Sequence, residues 1–420
     1  MYLHSDVNAF YCSVEQVFRP DLAGMPVIVA TNNDGAIAAL NAEAKKCGLK
    51  RGQPLFEARP LIERHRVHVF SSNYTLYADF SSRFHTLLGE HLARSECYSV
   101  DELFGSLHGM GHLIDYQAFG LELRQQVYQQ TSLTCGIGIA PTKTLCKCAT
   151  WAAKKYRKTQ GVVVLDDPQR RDRLLALMDV SEVWGIGKRL ASRLESFGIK
   201  TALDLAQADT RFIRQQMGVV VERTVRELRG EPCFALDDNP PSRQQIVVSR
   251  SFGEKLTEME DMQQAICAFS CRAGEKLRRN RTYASAVTVF IQNSRHQKDT
   301  PYFSAIRTIP IPATQDSRDL VNAARQALQL IWKPGILYAK AGIMLSELGD
   351  GREQLDLFSE NAPGRHSEVL MQLMDSLNQK QRGIMFLAGE GRQRRYKMKQ
   401  QWLSPRYTTQ WRDLPVAWLK

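Results

Sequence analysis

Two adjacent carboxylates, Asp101 and Glu102, stand inside an otherwise strand-like run that leads from Glu96-Cys97 through Tyr98-Ser99-Val100 to Leu103-Phe104-Gly105-Ser106-Leu107. Neighbouring side chains on a strand point to opposite faces, so a regular ladder cannot bring both to one side. A tight turn between two strands removes the conflict and lets both reach one cation. An acidic surface turn with no such role fits this stretch equally well. A third carboxylate shifts the balance: Asp6 closes a short strand-like start and precedes a helical pattern from Phe10 to Val17. Three carboxylates from two strand ends can hold a pair of hard divalent cations. Mg²⁺ takes oxygen ligands, keeps several waters and uses one or two carboxylates plus substrate phosphates. Two such ions, about 3.5–4 Å apart, clamp the attacking and leaving oxygens of a phosphoryl displacement.

Charge points the same way. The chain has 420 residues and a formal net charge of +12. That excess suits a polyanionic partner, most often nucleic acid, although a generically basic surface would give it too. The length suggests about three domains at ~150 residues each. The nine cysteines are scattered, with no paired zinc-finger spacing and no disulfide framework, as expected of free buried thiols in a reducing compartment. No apolar run approaches the ~20 residues that span a bilayer. Asp6 also sits where a signal peptide would be apolar. A cytoplasmic protein without membrane association is expected.

Along the chain, residues 1–7 read as a strand and 8–18 as a helix. Pro20, Gly24 and Pro26 then break the pattern. Val27-Ile28-Val29-Ala30 reads as a buried strand, Asn32-Asn33-Asp34-Gly35 as a turn, and 41–47 as a helix stopped by Gly48. Residues 51–72 look basic and irregular, ending in a strand at 67–70. The whole of 20–72 looks like a small insertion. From Tyr74 the apolar spacing is helical. The acidic hairpin follows at 95–108, then a helix near 115–130, a strand at 133–139, a helix near 142–156 and a strand at 162–165. Without the insertion this is an α+β sheet of the βαββαβ kind, with helices on one face.

Residues 169–230 are helical in pattern. Within them, Val183-Trp184-Gly185-Ile186-Gly187-Lys188-Arg189 makes a tight turn into a helix whose first amides are free. Those N–H groups and the helix dipole suit a phosphate, with Lys188 and Arg189 adding charge: a helix-hairpin-helix signature for backbone contact. An ordinary helix cap is the alternative. Residues 231–242, with Pro232 and Pro240-Pro241, read as a linker. A second βαββαβ order follows to 347, rich in Arg and Lys, including Arg250, Lys255, Arg278, Arg279, Arg281 and Lys340. It suits tracking of a duplex backbone, or is a plain structural domain. In the polar stretch after it, Gln354-Leu355-Asp356-Leu357-Phe358 reads as a peptide for a partner's apolar groove. The tail, 367–420, offers an amphipathic helix at 369–377, many basic residues and no evident site chemistry.

Taken together, Asp6 with Phe10-Tyr11, Tyr98-Ser99-Val100-Asp101-Glu102, Thr142-Lys143-Thr144-Leu145-Cys146-Lys147 and Gly185-Ile186-Gly187, in that order, resemble the Y-family translesion DNA polymerases. Ser71-Ser72-Asn73-Tyr74, the stretch from Glu222 to Pro232 and Leu403-Ser404-Pro405-Arg406-Tyr407-Thr408-Thr409 resemble the UmuC-type catalytic subunits of bacterial DNA polymerase V, which act in SOS mutagenesis. The resemblance runs over the whole chain. It implies a right-hand architecture: a ferredoxin-like palm (1–19 and 74–167), small fingers (20–73), an all-α helix-hairpin-helix thumb (168–230), a linker (231–242), a little finger (243–347) and a C-terminal partner-binding region (348–420). It implies two Mg²⁺ ions on Asp6, Asp101, Glu102 and the Val7 carbonyl. Tyr11, beside Phe10, would be a steric gate against a ribose 2′-hydroxyl, and Lys147 and Lys45 would meet the triphosphate. Ala36 and Ala38 would be a loose roof over the nascent base pair. Gly185, Gly187, Lys188 and Arg189 would meet DNA, and Gln354, Leu355, Leu357 and Phe358 a sliding clamp. Primer-template DNA, deoxynucleoside triphosphates, a UmuD′-type dimer and a RecA filament are the further implied partners. Two departures stand in the fingers: Ala42 and Lys45 occupy places where many members carry Tyr and Arg. Lysine is a point charge and cannot fork onto two phosphate oxygens.

Two other readings compete. A non-catalytic DNA-binding factor would need only the hairpin and the basic tail, leaving the three carboxylates unexplained. A two-metal nucleotidyl cyclase on a similar palm would need neither the hairpin nor the clamp peptide.

Overall fold

The computed structural model describes residues 1–110, 113–237, 243–295, 301–350, 367–380, 383–392, 395–396, 398–414 and 416. The chain forms two compact units, Met1–Pro240 with Gln401–Lys420, and Pro241–Gln400.

The first unit is built on a five-stranded sheet in the spatial order Arg94–Cys97, Glu102–Ser106, Tyr2–Val7, Cys135–Ala140, Val162–Val164. All neighbours are antiparallel except the last pair. Strand alternation sorts the central strand into two faces. Leu3, Ser5 and Val7 point one way, into an apolar core shared with helices Tyr74–Gly89 and Tyr116–Thr131. Tyr2, His4 and Asp6 point the other way, under helix Lys143–Lys155. The sheet is therefore covered on both faces, which corrects the expectation of helices on one. Glycines on the adjoining strand explain the second cover. Gly136 and Gly138 lie opposite Asp6 and His4 in register. A Cβ on Gly138 would overlap the Cys146 carbonyl oxygen and lie 2.6 Å from the Thr150 nitrogen. Only a bare Cα lets the helix backbone come this close.

A buried carboxylate fixes the start of that helix. Glu227, fully buried on the all-helical segment's last helix, Val219–Arg229, accepts from the Thr144, Cys233 and Phe234 backbone amides at 2.9, 2.6 and 3.1 Å. An anion at a helix N-terminus satisfies free amides and meets the positive end of the dipole. The helices from Pro168 to Arg229 are thereby joined to the sheet.

The segment 20–73 forms a three-stranded sheet, Ile37–Leu40, Val27–Ala30, His68–Ser71, the last two parallel. Two of its elements escape the sequence pattern. Ile37–Leu40 is a short strand directly after the turn. Leu55–Arg64 is a helix where an irregular stretch is expected. Pro60 lies inside it, at a position where proline removes one helix hydrogen bond and argues against a helix locally.

The second unit has the expected βαββαβ order. Its antiparallel sheet runs Ser304–Thr314, Tyr283–Asn293, Tyr338–Gly349, Ile246–Leu256, and its core includes residues of helices Met259–Asn280 and Ser317–Ile331. Helix Ser367–Lys380 is pinned to it by a forked ion pair, with Arg278 donating to both Asp375 oxygens at 2.7 and 2.8 Å. Arg278 is thus held within the unit.

Replacing Gly138 with Ala should destabilise the chain by about 3 kcal/mol or more, because the obstructing atoms are backbone and cannot swing aside. Gly35→Ala, where a Cβ meets nothing nearer than 3.7 Å, should change stability by less than ~0.5 kcal/mol. Denaturant unfolding of the two variants against the parent measures both.

Candidate active site

The three acidic residues meet at one end of the five-stranded sheet. Asp6 and Glu102 are direct cross-strand partners, on the face that helix Lys143–Lys155 covers. Asp101 lies in the turn just before strand Glu102–Ser106, with its carbonyl accepting from the Val7 amide at 3.0 Å. The Ser99 hydroxyl donates to Asp101 Oδ1 at 2.6 Å, and the Tyr98 and Ser99 amides both donate to the Glu102 carbonyl. The turn thus does what the alternation rule demands: Glu102 belongs to the ladder and Asp101 does not.

Two lysines rest on this cluster. Lys154 Nζ lies 2.5 Å from Asp6 Oδ1 and donates to the Val7 carbonyl at 3.3 Å. Lys147 Nζ lies 2.5 Å from Glu102 Oε1 and 4.5 Å from the Tyr98 ring centroid. Between them Thr150 bonds the His4 ring at 2.9 Å, and His4 Nε2 stands 3.5 Å from Glu102 Oε1. Residues 147, 150 and 154 follow a helical i, i+3, i+7 spacing, and His4 and Asp6 a strand's i, i+2. Both periods are visible in the sequence, and they mark Lys154 and His4 as site residues that the motif comparison passes over.

Electrostatics follow from burial and these partners. Burial pushes the Glu102 carboxyl up, but the hydrogen bonds from His4 and Lys147 and the lysine charge outweigh it and hold it at about 2. Asp6 is raised by burial, against the opposing pull of Lys154. Burial lowers His4 to about 4, so its ring is neutral at pH 7.

Among the described residues, no three carboxylate, His or Cys side chains converge closely enough to hold a metal ion as they stand. Yet the donor set suits a hard cation. Two neighbouring carboxylates, a turn carboxylate and the Val7 carbonyl are all oxygens, and the groups lying on them are ammonium cations on flexible stems.

The other expected residues have the following surroundings. Phe10 is buried, 3% exposed, and packs against Tyr11 and Tyr77. The half-buried Tyr11 ring lies flat on Tyr77, centroids 4.4 Å apart and 15° between planes, with Tyr74 edge-on at 6.2 Å. Lys45 is exposed on helix Ala42–Lys46, and Ala38 is half-buried on strand Ile37–Leu40. Gly185, at φ +86°, makes the turn, and Gly187 starts helix Lys188–Ser196 with no side chain capping it. Lys188 and Arg189 are exposed there. Trp184 of that turn reaches the acidic hairpin: its Nε1 donates to the Tyr98 hydroxyl at 3.0 Å. Gln354, Leu355, Leu357 and Phe358 lie outside the described residues.

The tail is the largest omission of the sequence reading. It does carry chemistry near the site, since the Ser404 hydroxyl donates to Glu15 Oε1 at 3.0 Å, as does the Tyr77 hydroxyl at 2.6 Å. Burial pushes the Glu15 carboxyl up to about 7 against these two bonds.

Comparison with known proteins adds an independent line. The impB/mucB/samB family matches residues 5–151, and that family's C-terminal domain matches residues 243–357. A domain of unknown function (DUF4113) matches residues 368–417. Protein MucB of Salmonella typhimurium is 50% identical over 421 residues, covering 100% of both chains. Protein UmuC of Salmonella typhimurium is 48% identical over 99% of both. DNA polymerase IV 1 of Bacillus subtilis is 28% identical over 90% of this chain and 89% of its own. Among solved structures, a Y-family DNA polymerase chimera of Dbh and Dpo4 shares the fold at a TM-score of 0.64 and 20% identity, covering 83% of this chain and 98% of that one.

Because Glu102 is held at about 2 against ~4.5 when unfolded, its pairing stabilises the fold above pH ~4.5, and that contribution is lost as pH falls towards 2. Lys147→Met should therefore cost roughly 1–3 kcal/mol at pH 7 and flatten the loss of stability between pH ~4.5 and ~2. Denaturant unfolding across pH, in buffer free of divalent cations, measures this.

Proposed function

This chain belongs to the impB/mucB/samB family, and from that premise we propose that it is a Y-family DNA polymerase of the UmuC type that inserts nucleotides opposite damaged template bases in induced mutagenesis. The observation that carries the reading is the pairing of Asp6 with Glu102 across two strands, with Asp101 on the turn beside them. A non-catalytic DNA-binding factor has no use for this arrangement.

Asp6, Asp101, Glu102 and the Val7 carbonyl would hold two Mg²⁺ ions, which when bound supply positive charge to the attacking and leaving oxygens of nucleotidyl transfer. Lys147 and Lys154 neutralise two of the carboxylates meanwhile. Released from Glu102, the Lys147 ammonium is free to meet a triphosphate oxygen, as a point charge without forked geometry. The Tyr11 ring, backed by Tyr77, stands as a flat wall against a sugar 2′-hydroxyl, which excludes the wrong nucleotide by clash. The open N-terminus at Gly187, with Lys188 and Arg189, suits a template or primer phosphate without reading its base. Small residues at 36 and 38 leave the nascent pair loosely roofed, and loose contact tolerates lesions at the expense of selectivity.

A polymerase with weak grip gains residence on DNA by tethering. Gln354-Leu355-Asp356-Leu357-Phe358 is the proposed clamp peptide, and a UmuD′-type dimer and a RecA filament are proposed activators. All three rest on the resemblance in sequence. No helix among the described residues is long and apolar enough to cross a membrane, and a cytoplasmic location is proposed with the DNA substrate.

Primer extension past a template lesion, with those partners supplied, tests the proposal. Asp101→Ala should keep primer-template binding and lose extension by at least about 100-fold, the scale on which removing transition-state charge stabilisation acts. Undiminished extension would refute the metal assignment. Tyr11→Ala should raise ribonucleotide insertion, and an unchanged level would remove the gate.

A further inference from the structure

The first unit is closed by a piece of chain from its far end. After leaving the second unit at Gln400, residues 401–414 lie against the segment 20–73 and the gate helix Phe10–Val17. The Gln401 amide donates to Asp34 at 2.9 Å, Trp402 and Ser71 exchange hydrogen bonds, and Leu403 extends the edge strand His68–Ser71 by a parallel bridge. Asn73 Nδ2 holds the Ser404 hydroxyl at 2.9 Å and its carbonyl at 3.1 Å. Tyr407 stacks on Phe18, just past the gate helix, at 4.3 Å.

We propose that this strap positions Tyr11, through Ser404, Glu15 and Tyr77, and so sets how strictly the site excludes ribonucleotides. The proposal rests on the reading of Tyr11 as the gate. Its links are short and buried. Glu15 lies one helical turn past Tyr11, on the same side of the helix. Its Oε1 accepts from both Ser404 and Tyr77, while its Oε2 meets no hydrogen-bond partner among the described residues. The two hydroxyls therefore decide how the carboxylate is turned. Tyr77 is 1% exposed, and its ring is the surface on which Tyr11 lies. Tilting Tyr77 tilts the gate. A strap that only covered apolar surface would need neither Ser404 nor a buried carboxylate. Ser404 and Glu15 are positioning residues, since neither touches the reacting atoms.

The test is single-nucleotide insertion by the full-length chain, accessory partners supplied, with kcat and KM measured separately for matched ribo- and deoxynucleotides. Ser404→Ala should raise the ribo-to-deoxy ratio of kcat/KM about 5-fold, with deoxynucleotide insertion held within about 2-fold, since a sub-ångström shift of a wall costs less than the hundredfold of a full misplacement. Tyr77→Phe, which keeps the ring and deletes the other hydrogen bond to Glu15 Oε1, should raise the ratio comparably. Ser404→Thr, which keeps the hydroxyl, should return it to the parental value. In a Tyr11→Ala background, Ser404→Ala should add nothing. If Ser404→Ala leaves the ratio unchanged while Tyr11→Ala raises it, the strap's role is overturned and the gate stands. If Ser404→Ala slows both sugars equally, the strap is structural only and the proposal fails. If Tyr11→Ala changes nothing, both fall.

Discussion

The close approach of helix Lys143–Lys155 to strand Cys135–Ala140 governs the geometry of the carboxylate cluster. Gly136 and Gly138 leave that face of the sheet bare, so a helix backbone settles where side chains would otherwise stand. Everything the helix carries is then delivered to the central strand and its neighbour at fixed height: Lys147 over Glu102, Thr150 over His4, Lys154 over Asp6. A helix pushed outward by even one methyl group would carry its lysines off the carboxylates. The packing term and the electrostatic term are thus one constraint.

The cluster of negative charge at the sheet end is costly to leave bare, and the chain supplies its own cations. Two ammonium groups on long stems neutralise carboxylates without the rigidity of a dedicated cage. The same helix begins on a second carboxylate, Glu227, which is fully buried and satisfied by backbone amides. Three backbone donors satisfy its oxygens, as a buried polar group requires. One helix is therefore held at its start by an acid it receives and presents along its length bases to acids it serves. Trp184, bonded to Tyr98, ties the Gly185-Ile186-Gly187 turn to the acidic hairpin.

The chain's end is used twice. Helix Ser367–Lys380 is locked to the second unit through Arg278 and Asp375, and residues 401–414 are stitched to the first through Asp34, Ser71, Asn73 and Glu15. The region matched by a domain of unknown function is thus divided between both units. Its second half places a hydroxyl two hydrogen bonds from Tyr77, the ring on which Tyr11 stacks. That arrangement gives a terminal segment a reason to be specific in sequence rather than a loose basic tail.

Local chemistry was readable along the chain. Strand alternation required a turn at Asp101-Glu102, Gly-Ile-Gly announced a helix start, and apolar spacing gave both βαββαβ orders. Those features depend on neighbours within a few residues, where backbone geometry alone decides. The helix Leu55–Arg64 escaped because Pro60 argues against it locally and its packing overrides that argument. The strap escaped for a deeper reason. Ser404 and Glu15 are 389 residues apart, and neither is unusual in its own surroundings. Sequence determined that three carboxylates and a flat aromatic would be present. Only the tertiary structure decided which cations sit on those acids, and what holds the aromatic in place, because burial and contact between distant segments have no local signature.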